Sequence, residues 1–368
     1  ELTDPLLDTL AEVLSVPVAP YHEARLSGYL TDRLTRFKTV DAMTDALGNL
    51  LFRYRPADAP EAAGFAFQAH LDHPGFLVTD TDSGDDTRLD VELLGGMPPS
   101  MAGGSVRFYP DDNNEGIAGV VETVTDTNER GHPSRARVRA ELAVAPGTFG
   151  MWDYAPLEQN GDWLDGRGFD DTLGVAILVY VVERAAKRRW KQPFDVLFTR
   201  AEETGLVGCG ELCRRGTMTL PRHVITVEMP RAKGEVEAGG GVVARVGDGV
   251  AAYDRETMLH VDTVCRAIEK DDNAFAWQRR LPWAGRTEAS HFAFYGYRTG
   301  AVCLATVNGH NTDDSGNPAP ERVHAGDLTS LVTLVEALAR RPFDPSKSAD
   351  SIRERIEARS RALGGRLG

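Results

Sequence analysis

The sequence predicts an α/β protein whose chain is interrupted by a small β-rich domain. Two observations lead to this prediction: helical and extended patterns alternate at both ends of the chain, whereas residues 75–161 contain only short extended segments. Parallel strands joined by helices produce the first pattern, and strands between tight turns produce the second. With 368 residues and 42% hydrophobic side chains, the chain is long enough and apolar enough to form two folded units.

Local periodicity predicts the elements of the first half. Apolar residues at helical spacing indicate helices over 5–14 and 22–37, and a turn at 45–49 precedes a strand over 50–54. The apolar stretch 65–69 has the length of a strand and leads directly into a polar cluster. Gly, Pro, Asn and Asp then separate the strands expected at 88–94, 105–109, 116–124 and 136–144.

The second half returns to alternating strands and helices. Helices are expected at 172–189, 205–215, 256–270 and 326–340, and strands at 194–199, 223–227 and 301–305. Functional groups of such a fold collect beyond the carboxyl ends of its parallel strands. We therefore divide the chain into a discontinuous catalytic domain, 1–74 and 162–345, an inserted β-barrel-like domain, 75–161, and an Arg/Glu-rich terminal helix, 346–368.

The net charge and the cysteines indicate which binding partners and which cellular location to expect. The 55 acidic residues exceed the 41 basic ones, so the formal net charge is −14 and nucleic acid is not an expected partner. No run of 18 apolar residues occurs, and therefore no membrane association is predicted. Four cysteines without a CxxC pair, together with the lack of a visible leader sequence, favour the reducing cytoplasm.

Acid and histidine clusters stand at predicted strand ends and helix starts, whereas common hydrolase motifs are missing. The sequence contains no GxSxG elbow, no phosphate-binding loop and no HExxH pair. The clusters are His70 with Asp72, Asp170 with Asp171, Glu202 with Glu203, Glu228, and His310.

Each cluster has a structural interpretation beside a chemical one. His70 and Asp72 lie two apart on an extended backbone, so they could form a metal ligand with its outer partner or only a surface loop. One Asp of the 170–171 pair could cap the following helix, which leaves the other for a second role. The adjacent acids Glu202 and Glu203 repel each other unless a cation or a shared proton relieves them.

The combined donor set indicates a metal centre. Two histidines and several carboxylates, without thiolate, suit borderline divalent ions, zinc first, with cobalt or manganese as alternatives. A carboxylate that bridges two ions about 3.5 to 4 Å apart is the usual geometry of a two-metal hydrolase. We therefore predict two divalent ions per chain.

The order and spacing of the clusters resemble the dinuclear-zinc exopeptidases, and in particular metallopeptidase family forty-two, the glutamyl and deblocking aminopeptidases. The matching segments are DALGN (45–49), HLDHPGF (70–76), LGG (94–96), GFDDTLG (168–174), FTRAEETGLVG (198–208), VITVE (224–228) and His310. His70 and Asp170 are 100 residues apart, whereas Glu228 and His310 are 82 residues apart. The large insertion therefore lies between His70 and Asp170, as it does in this family. The resemblance implies a zinc-exopeptidase fold with a three-layer α/β/α core of the phosphorylase/hydrolase-like type.

The resemblance also implies the metal ligands. His70 and Glu203 would bind separate ions, and Asp170 would bridge the two. Glu228 and His310 would complete the two sites.

Two further acids would assist the reaction. Glu202 would be the general base that takes a proton from water and passes it to the leaving amine. Asp72 would support the neighbouring histidine ligand from outside the coordination sphere. Because the family's bridging Asp stands four residues before a helix Gly, here Gly174, Asp170 is preferred to Asp171.

Departures from the family pattern leave related reactions open. Glu228 stands where the aminopeptidases usually have Asp and where related carboxypeptidases and deacylases often have Glu, and His73 replaces the Glu that usually follows HxD. We predict an aminopeptidase that acts on short peptides. A carboxypeptidase or N-acyl amide deacylase is the alternative, and an inactive metal-binding scaffold is the alternative of another class. The resemblance further implies a homo-oligomer, with the insertion serving assembly or access.

Overall fold

The chain forms a large mixed sheet with helices packed around it, a separate barrel and a small third sheet. The computed structural model describes residues 4–367 except 58, 60–62, 112, 114, 283 and 284. In the described part of the chain the strands are β1 (Val40–Thr44), β2 (Leu50–Tyr54), β3 (Phe65–His70), β4 (Gly75–Asp82), β5 (Asp85–Leu94), β6 (Ser105–Phe108), β7 (Ile117–Thr127), β8 (Pro133–Ala140), β9 (Phe149–Trp152), β10 (Glu158–Asn160), β11 (Trp163–Gly166), β12 (Phe194–Thr199), β13 (His223–Glu228), β14 (Val242–Arg245), β15 (Trp277–Arg280), β16 (Arg298–Cys303), β17 (Thr306–Val307) and β18 (Glu321–His324). The α-helices are α1 (Asp4–Ser15), α2 (Ala24–Leu34), α3 (Phe169–Arg188), α4 (Val207–Arg215), α5 (Arg255–Asp271), α6 (Glu288–Phe294), α7 (Ala325–Arg340) and α8 (Pro345–Leu363).

The large sheet has eight strands in the order β1-β2-β12-β3-β13-β16-β14-β15. Its four inner strands β12, β3, β13 and β16 run parallel, so their carboxyl ends lie at one edge. Every residue of β3 and β12 is buried, which means that both faces of the sheet are covered. The near-continuous apolar character of these strands follows from burial on two faces.

Helix α3 is buried along most of its length. It packs against strand β3 on one side and against helices α1 and α7 on its other sides. Because the helix is covered in this way, the run 175–182 is apolar all round. Such an all-round apolar helix is stable only in the interior of a protein. The start of α3, where the two predicted site acids stand, is therefore anchored in the core.

The barrel closes through the strand order β4-β5-β8-β7-β6-β9. It has its own apolar core, in which the rings of Phe76 and Trp152 meet edge to face at 5.1 Å and Phe108 is fully buried. The first strand β4 pairs with the last strand β9, with Phe76 opposite Gly150. The chain therefore enters and leaves the barrel at neighbouring strands.

The small sheet, in the order β10-β11-β18-β17, lies outside the barrel. Strand β10, within the predicted insertion 75–161, pairs with β11, which follows that insertion. The barrel, 75–152, makes up most of the predicted insertion 75–161. The domain limits 1–74, 75–161, 162–345 and 346–368 stay predictions.

The predicted fold class is confirmed, since an α/β core is interrupted by a β-rich unit. Helix 22–37 is shorter than predicted and spans Ala24–Leu34, and helix 205–215 begins only at Val207, because Leu206 adopts a left-handed backbone with φ of 59°. Short strands such as β14 and β15 were not expected, since four residues carry too little periodicity. Within the described part of the chain, none of the helices combines the length and the apolar character needed to cross a membrane.

Candidate metal centre

The predicted site residues come together at the carboxyl edge of the large sheet. His70 is the last residue of β3, Glu228 is the last residue of β13, and Glu202 and Glu203 follow the end of β12 by three and four residues. Because Thr199 of β12 pairs with His70 in parallel register, the two strand ends are adjacent. The shared edge explains how acids that are far apart in sequence meet.

Asp170, at the start of α3, lies between the two predicted histidine ligands. Its Oδ1 is 3.3 Å from Nε2 of His70, and its Oδ2 is 3.4 Å from Nε2 of His310. Glu203 Oε2 is 3.2 Å from the same Nε2 of His310. One carboxylate thus faces both imidazoles, which is the arrangement that a bridging ligand needs.

The donor set fits divalent cations. Ligand atoms of His70, Glu202 and Glu203 lie within 4.8 Å of one another, as do those of Asp170, Glu203 and His310. Two carboxylate oxygens, Asp170 Oδ1 and Glu203 Oε1, are buried without a hydrogen-bond partner among the described residues. Buried anionic oxygens are costly unless a cation or a hydrogen bond compensates them. Imidazole and carboxylate donors match zinc, cobalt or manganese.

Glu228 lies at the same edge but outside the two closest groups. It is 8% exposed, and its Oε2 accepts the main-chain N–H of Met229 at 2.8 Å. Its side chain lines one cavity together with Asp170 and His310. The structure thus brings four of the five predicted ligands into direct proximity and leaves Glu228 beside them, and the assignment of all five as ligands stays a prediction.

Burial and the charges packed together in the cluster shift the pKa values of its members. Burial raises the pKa of Glu203 to about 8, although His310 opposes this increase. Burial by itself would lower the pKa of His310, but the carboxylates of Glu203 and Asp170 outweigh it and raise this pKa to about 10. These shifts show that the carboxylates need positive charge beside them, which is the environment that metal ions provide.

Asp72 organises the glutamate pair. It is fully buried, and its Oδ1 and Oδ2 accept the main-chain N–H groups of Glu202 and Glu203 at 2.9 and 3.1 Å. Nδ1 of His70 donates to the main-chain carbonyl of Asp72 at 3.1 Å, whereas the Asp72 carboxylate is 3.7 Å from Nδ1. The support of His70 therefore comes from the carbonyl, and this leaves Nε2 of His70 facing Asp170.

Asp171 does not face the histidines. It is fully buried, and its Oδ2 accepts the main-chain N–H of His70 at 3.1 Å. A Cβ at Gly174 would lie 2.2 Å from Asp171 Oδ1, so the glycine makes room for this carboxyl group. The role of Asp171 is to hold the end of β3.

An ion pair between a buried Glu and a partly exposed Arg, which the sequence did not indicate, holds the segment before the glutamates. Glu23 accepts the main-chain N–H of Ala201 at 3.0 Å and pairs with Arg200 at 2.6 Å. Ala201 adopts a left-handed backbone with φ of 51°, an unfavourable conformation for this residue type. Because Glu23 is about 180 residues away in sequence, no local pattern could have revealed this contact.

Gly96 packs against the ring of His310, and a Cβ at this position would lie 2.6 Å from His310 Nδ1. Replacing Gly96 by Ala is expected to displace the imidazole and to weaken metal binding about 10- to 100-fold, as for other changes that misorient a ligand. Metal-dependent activity measured over a range of zinc concentrations checks this result. The control is Gly28→Ala on α2, where nothing lies within 4 Å of the new methyl group. Equal metal dependence of both variants would contradict a role of His310 as ligand.

A cavity of about 780 Å³ opens beside the cluster. Its wall contains three predicted ligands, Asp170, Glu228 and His310. The basic side chains in the wall are Arg231, Lys233, Arg245 and Arg286. A cavity of this volume accommodates an amino acid side chain next to the candidate centre.

Known proteins resemble this chain in sequence and in fold. The sequence model of the family described as M42 glutamyl aminopeptidase matches residues 48–334. Among solved structures, the TET1 peptidase of Pyrococcus horikoshii is 23% identical with a TM-score of 0.73, covering 91% of this chain and 99% of that chain. A TET aminopeptidase of Thaumarchaeota archaeon SCGC AB-539-E09 is 16% identical with a TM-score of 0.76, covering 95% and 99%. An aminopeptidase of Desulfurococcus kamchatkensis is 16% identical with a TM-score of 0.71, covering 91% and 94%.

The three structures show a shared fold, and none of the curated proteins matches this chain at a significant level. The family match spans more than three quarters of the sequence. It favours an aminopeptidase over the carboxypeptidase or deacylase alternative. The chain accordingly belongs to the M42 glutamyl aminopeptidase family and is a metal-dependent aminopeptidase.

Proposed function

We propose that this aminopeptidase holds two divalent ions per chain, zinc first with cobalt or manganese as alternatives, and removes N-terminal residues from short peptides. The observation that carries the proposal is the position of Asp170, whose two carboxylate oxygens lie 3.3 and 3.4 Å from the two histidines. Asp170 Oδ1 and Glu203 Oε1, which are buried and accept no hydrogen bond among the described residues, support it. The proposed ligands are His70, Asp170, Glu203, Glu228 and His310.

The reaction needs a nucleophilic water and a group that moves its proton. Bound ions would supply Lewis acidity, polarising the scissile carbonyl and lowering the pKa of the water. Glu202 acts as the general base, because its carboxylate can take the proton of the attacking water and return it to the leaving amine. Asp72 fixes the main chain of Glu202 through the 2.9 Å hydrogen bond. Burial raises the pKa of Glu202 well above its ordinary value, and cations bound beside it would favour the ionised carboxylate that accepts the proton.

We further propose a preference for an acidic N-terminal residue. Of the basic side chains in the cavity wall, Arg245 is buried and hydrogen-bonded and Arg231 pairs with Asp314, which leaves Lys233 and Arg286; the acids of the wall are Asp170, Glu228 and Glu235. Bound ions would neutralise Asp170 and Glu228, so positive charge would dominate the remaining wall. The description of the matched family as glutamyl aminopeptidase agrees with this preference.

Two further proposals concern assembly and location. The TET1 peptidase of Pyrococcus horikoshii can assemble into a tetrahedron or a large octahedral shell, and another of the similar structures is a dodecamer. We propose that this chain also forms a homo-oligomer, in which the barrel serves assembly or access. All four cysteines are free thiols, three of them buried, which supports a cytoplasmic location.

A substrate panel tests the activity and the preference together. With zinc, cobalt or manganese added, amides of Glu with a free amine should be hydrolysed about 10- to 100-fold faster than amides of Lys, the value of one charge-assisted hydrogen bond. N-acetylated Glu amides should not be hydrolysed. If every free-amine substrate fails with every metal, the proposed two-ion reaction on short peptides is wrong.

Arg286→Glu, in the cavity wall, should lower the ratio of Glu to Lys hydrolysis. Arg279→Glu is the matched control, because Arg279 pairs with Asp262 outside the wall. An unchanged ratio in both variants would contradict the acidic preference while leaving the aminopeptidase activity in place.

A further inference from the structure

Glu321, the first residue of β18, connects two separate parts of the candidate centre. Its side chain is fully buried. Its Oε2 accepts the main-chain N–H groups of Phe169 and Asp170 at 2.5 and 3.2 Å, and its Oε1 accepts the N–H of His310 at 2.7 Å. Asp170 and His310 are 140 residues apart in sequence, and one carboxylate holds the main chain of both.

The segment that carries His310 needs such support. His310, Asn308 and Asn311 all adopt a left-handed backbone, with φ between 52° and 58°. Conformations of this kind are sparsely populated for residues other than glycine and persist only when surrounding contacts determine them. The hydrogen bond from His310 N–H to Glu321 is such a contact, since it fixes the residue from which the imidazole projects.

The chain between His310 and Glu321 turns back on itself. Thr312 forms an isolated bridge with Pro318, and the N–H of Ala319 donates to the carbonyl of Asn311 at 2.9 Å. Nδ2 of Asn308 donates to the carbonyl of Pro320 at 3.0 Å. Residues 311–320 thus form a closed loop that returns Glu321 to the base of the centre.

His73 provides a second connection between the same two segments. Its Nδ1 donates to the main-chain carbonyl of Asp170 at 2.5 Å, and its Nε2 lies 2.9 Å from Oδ1 of Asn311, the residue after His310. His73 is almost fully buried. Glu321 and His73 therefore contact the Asp170 and His310 segments with independent groups.

We propose that Glu321 is a positioning residue that fixes the separation of Asp170 and His310, and thereby the spacing and affinity of the two bound ions. This inference rests on the proposed function, because it assumes that Asp170 and His310 are ligands. Glu321 touches neither the substrate nor an ion, and it acts through the main chain of the two residues it holds.

The decisive variant is Glu321→Gln, which keeps the shape of the side chain. A carboxylate can accept at both oxygens, whereas an amide accepts at one position and presents a donor at the other. In Glu321→Gln, the side-chain NH₂ group would therefore point at a main-chain N–H group, either at Asp170 or at His310, and that hydrogen bond would be lost. We expect one ion to bind about 10- to 100-fold more weakly, the usual loss when an outer partner of a ligand is removed. Calorimetric titration of the metal-free chain with zinc measures this affinity, and the visible spectrum of the cobalt-loaded chain should change.

The matched control is Asp327→Asn. Asp327 is also a buried carboxylate that accepts two main-chain N–H groups, from Gly239 at 2.7 Å and Gly241 at 2.8 Å, but it contacts no predicted ligand. Both variants should lower the unfolding temperature of the metal-free chain. Only Glu321→Gln should alter the metal affinity and the cobalt spectrum.

The outcomes separate this inference from the proposed function. If the parent chain does not bind two ions, the proposed function fails. If the parent binds two ions and Glu321→Gln binds both with the same affinity and spectrum, the positioning role is wrong and the proposed function stands. Should Glu321→Gln not fold, Glu321→Asp carries the test, because it keeps both acceptor oxygens on a shorter side chain. Its metal affinity is then expected between those of the parent and the Asp170→Asn variant, and parental affinity would overturn the proposal.

Discussion

With Glu202 replaced by Gln, kcat is expected to fall by about 10²- to 10⁴-fold while the chain still binds two divalent ions. Glutamine keeps the size of the side chain and the main-chain hydrogen bond to Asp72, but it cannot take a proton from water. Steady-state kinetics on a Glu amide and the metal content per chain measure the two parts of this expectation.

The metal content decides between two roles of Glu202. Its carboxylate lies within 4.8 Å of ligand atoms of His70 and Glu203, so direct coordination is the competing role. Loss of an ion from Glu202→Gln would assign Glu202 as a ligand, and unchanged kcat would remove it from the reaction. Glu211→Gln on α4 is the control, since Glu211 pairs with Arg214 and Arg215 away from the centre.

Asp170→Asn is expected to lose at least one of the two ions and to lower kcat by about 10³-fold, because several kcal/mol of charge stabilisation are removed with them. An amide cannot offer two anionic oxygens to the two histidine sites. Metal analysis after dialysis, followed by activity at saturating zinc, checks the result.

The adjacent residue provides a matched comparison. Asp171→Asn should retain both ions and most of the activity, since the new amide oxygen can still accept the N–H of His70. If Asp171→Asn loses metal and Asp170→Asn does not, the choice of Asp170 as bridging ligand is wrong. The two variants share chemistry and burial, so a difference between them reports only which way each side chain points.

The fold was predictable where the sequence has long, regular patterns. The apolar strands at 194–199 and 223–227 and the helix after 172 were found because burial on both sheet faces or in the interior leaves a continuous apolar signal. Strand β14 and the edge strand β15 have only four residues each, and their pairing depends on distant segments. Strands this short are determined by tertiary contacts.

The candidate site was predictable from residues next to one another in sequence. His70, Asp170 and the glutamate pair each stand at a strand end or helix start, so local position indicated them. Glu23 and Glu321 were not found, because each accepts main-chain N–H groups of residues that are distant in sequence. The distance is more than ten residues for Glu321 and about 180 residues for Glu23. A carboxylate that accepts main-chain N–H groups across such a distance leaves no local signature.

The pairing of the first and last strands of the barrel has a consequence for folding kinetics. An unfolded chain must close a loop of about 100 residues to bring His70 to Asp170. Once β4 pairs with β9, the two ends of the barrel segment are already together. The loop that must still close between His70 and Asp170 then contains only about 25 residues outside the barrel. Two halvings of loop length lower the closure cost by about 1.2 kcal/mol. A barrel that folds first would thus act as a nucleus that accelerates assembly of the centre.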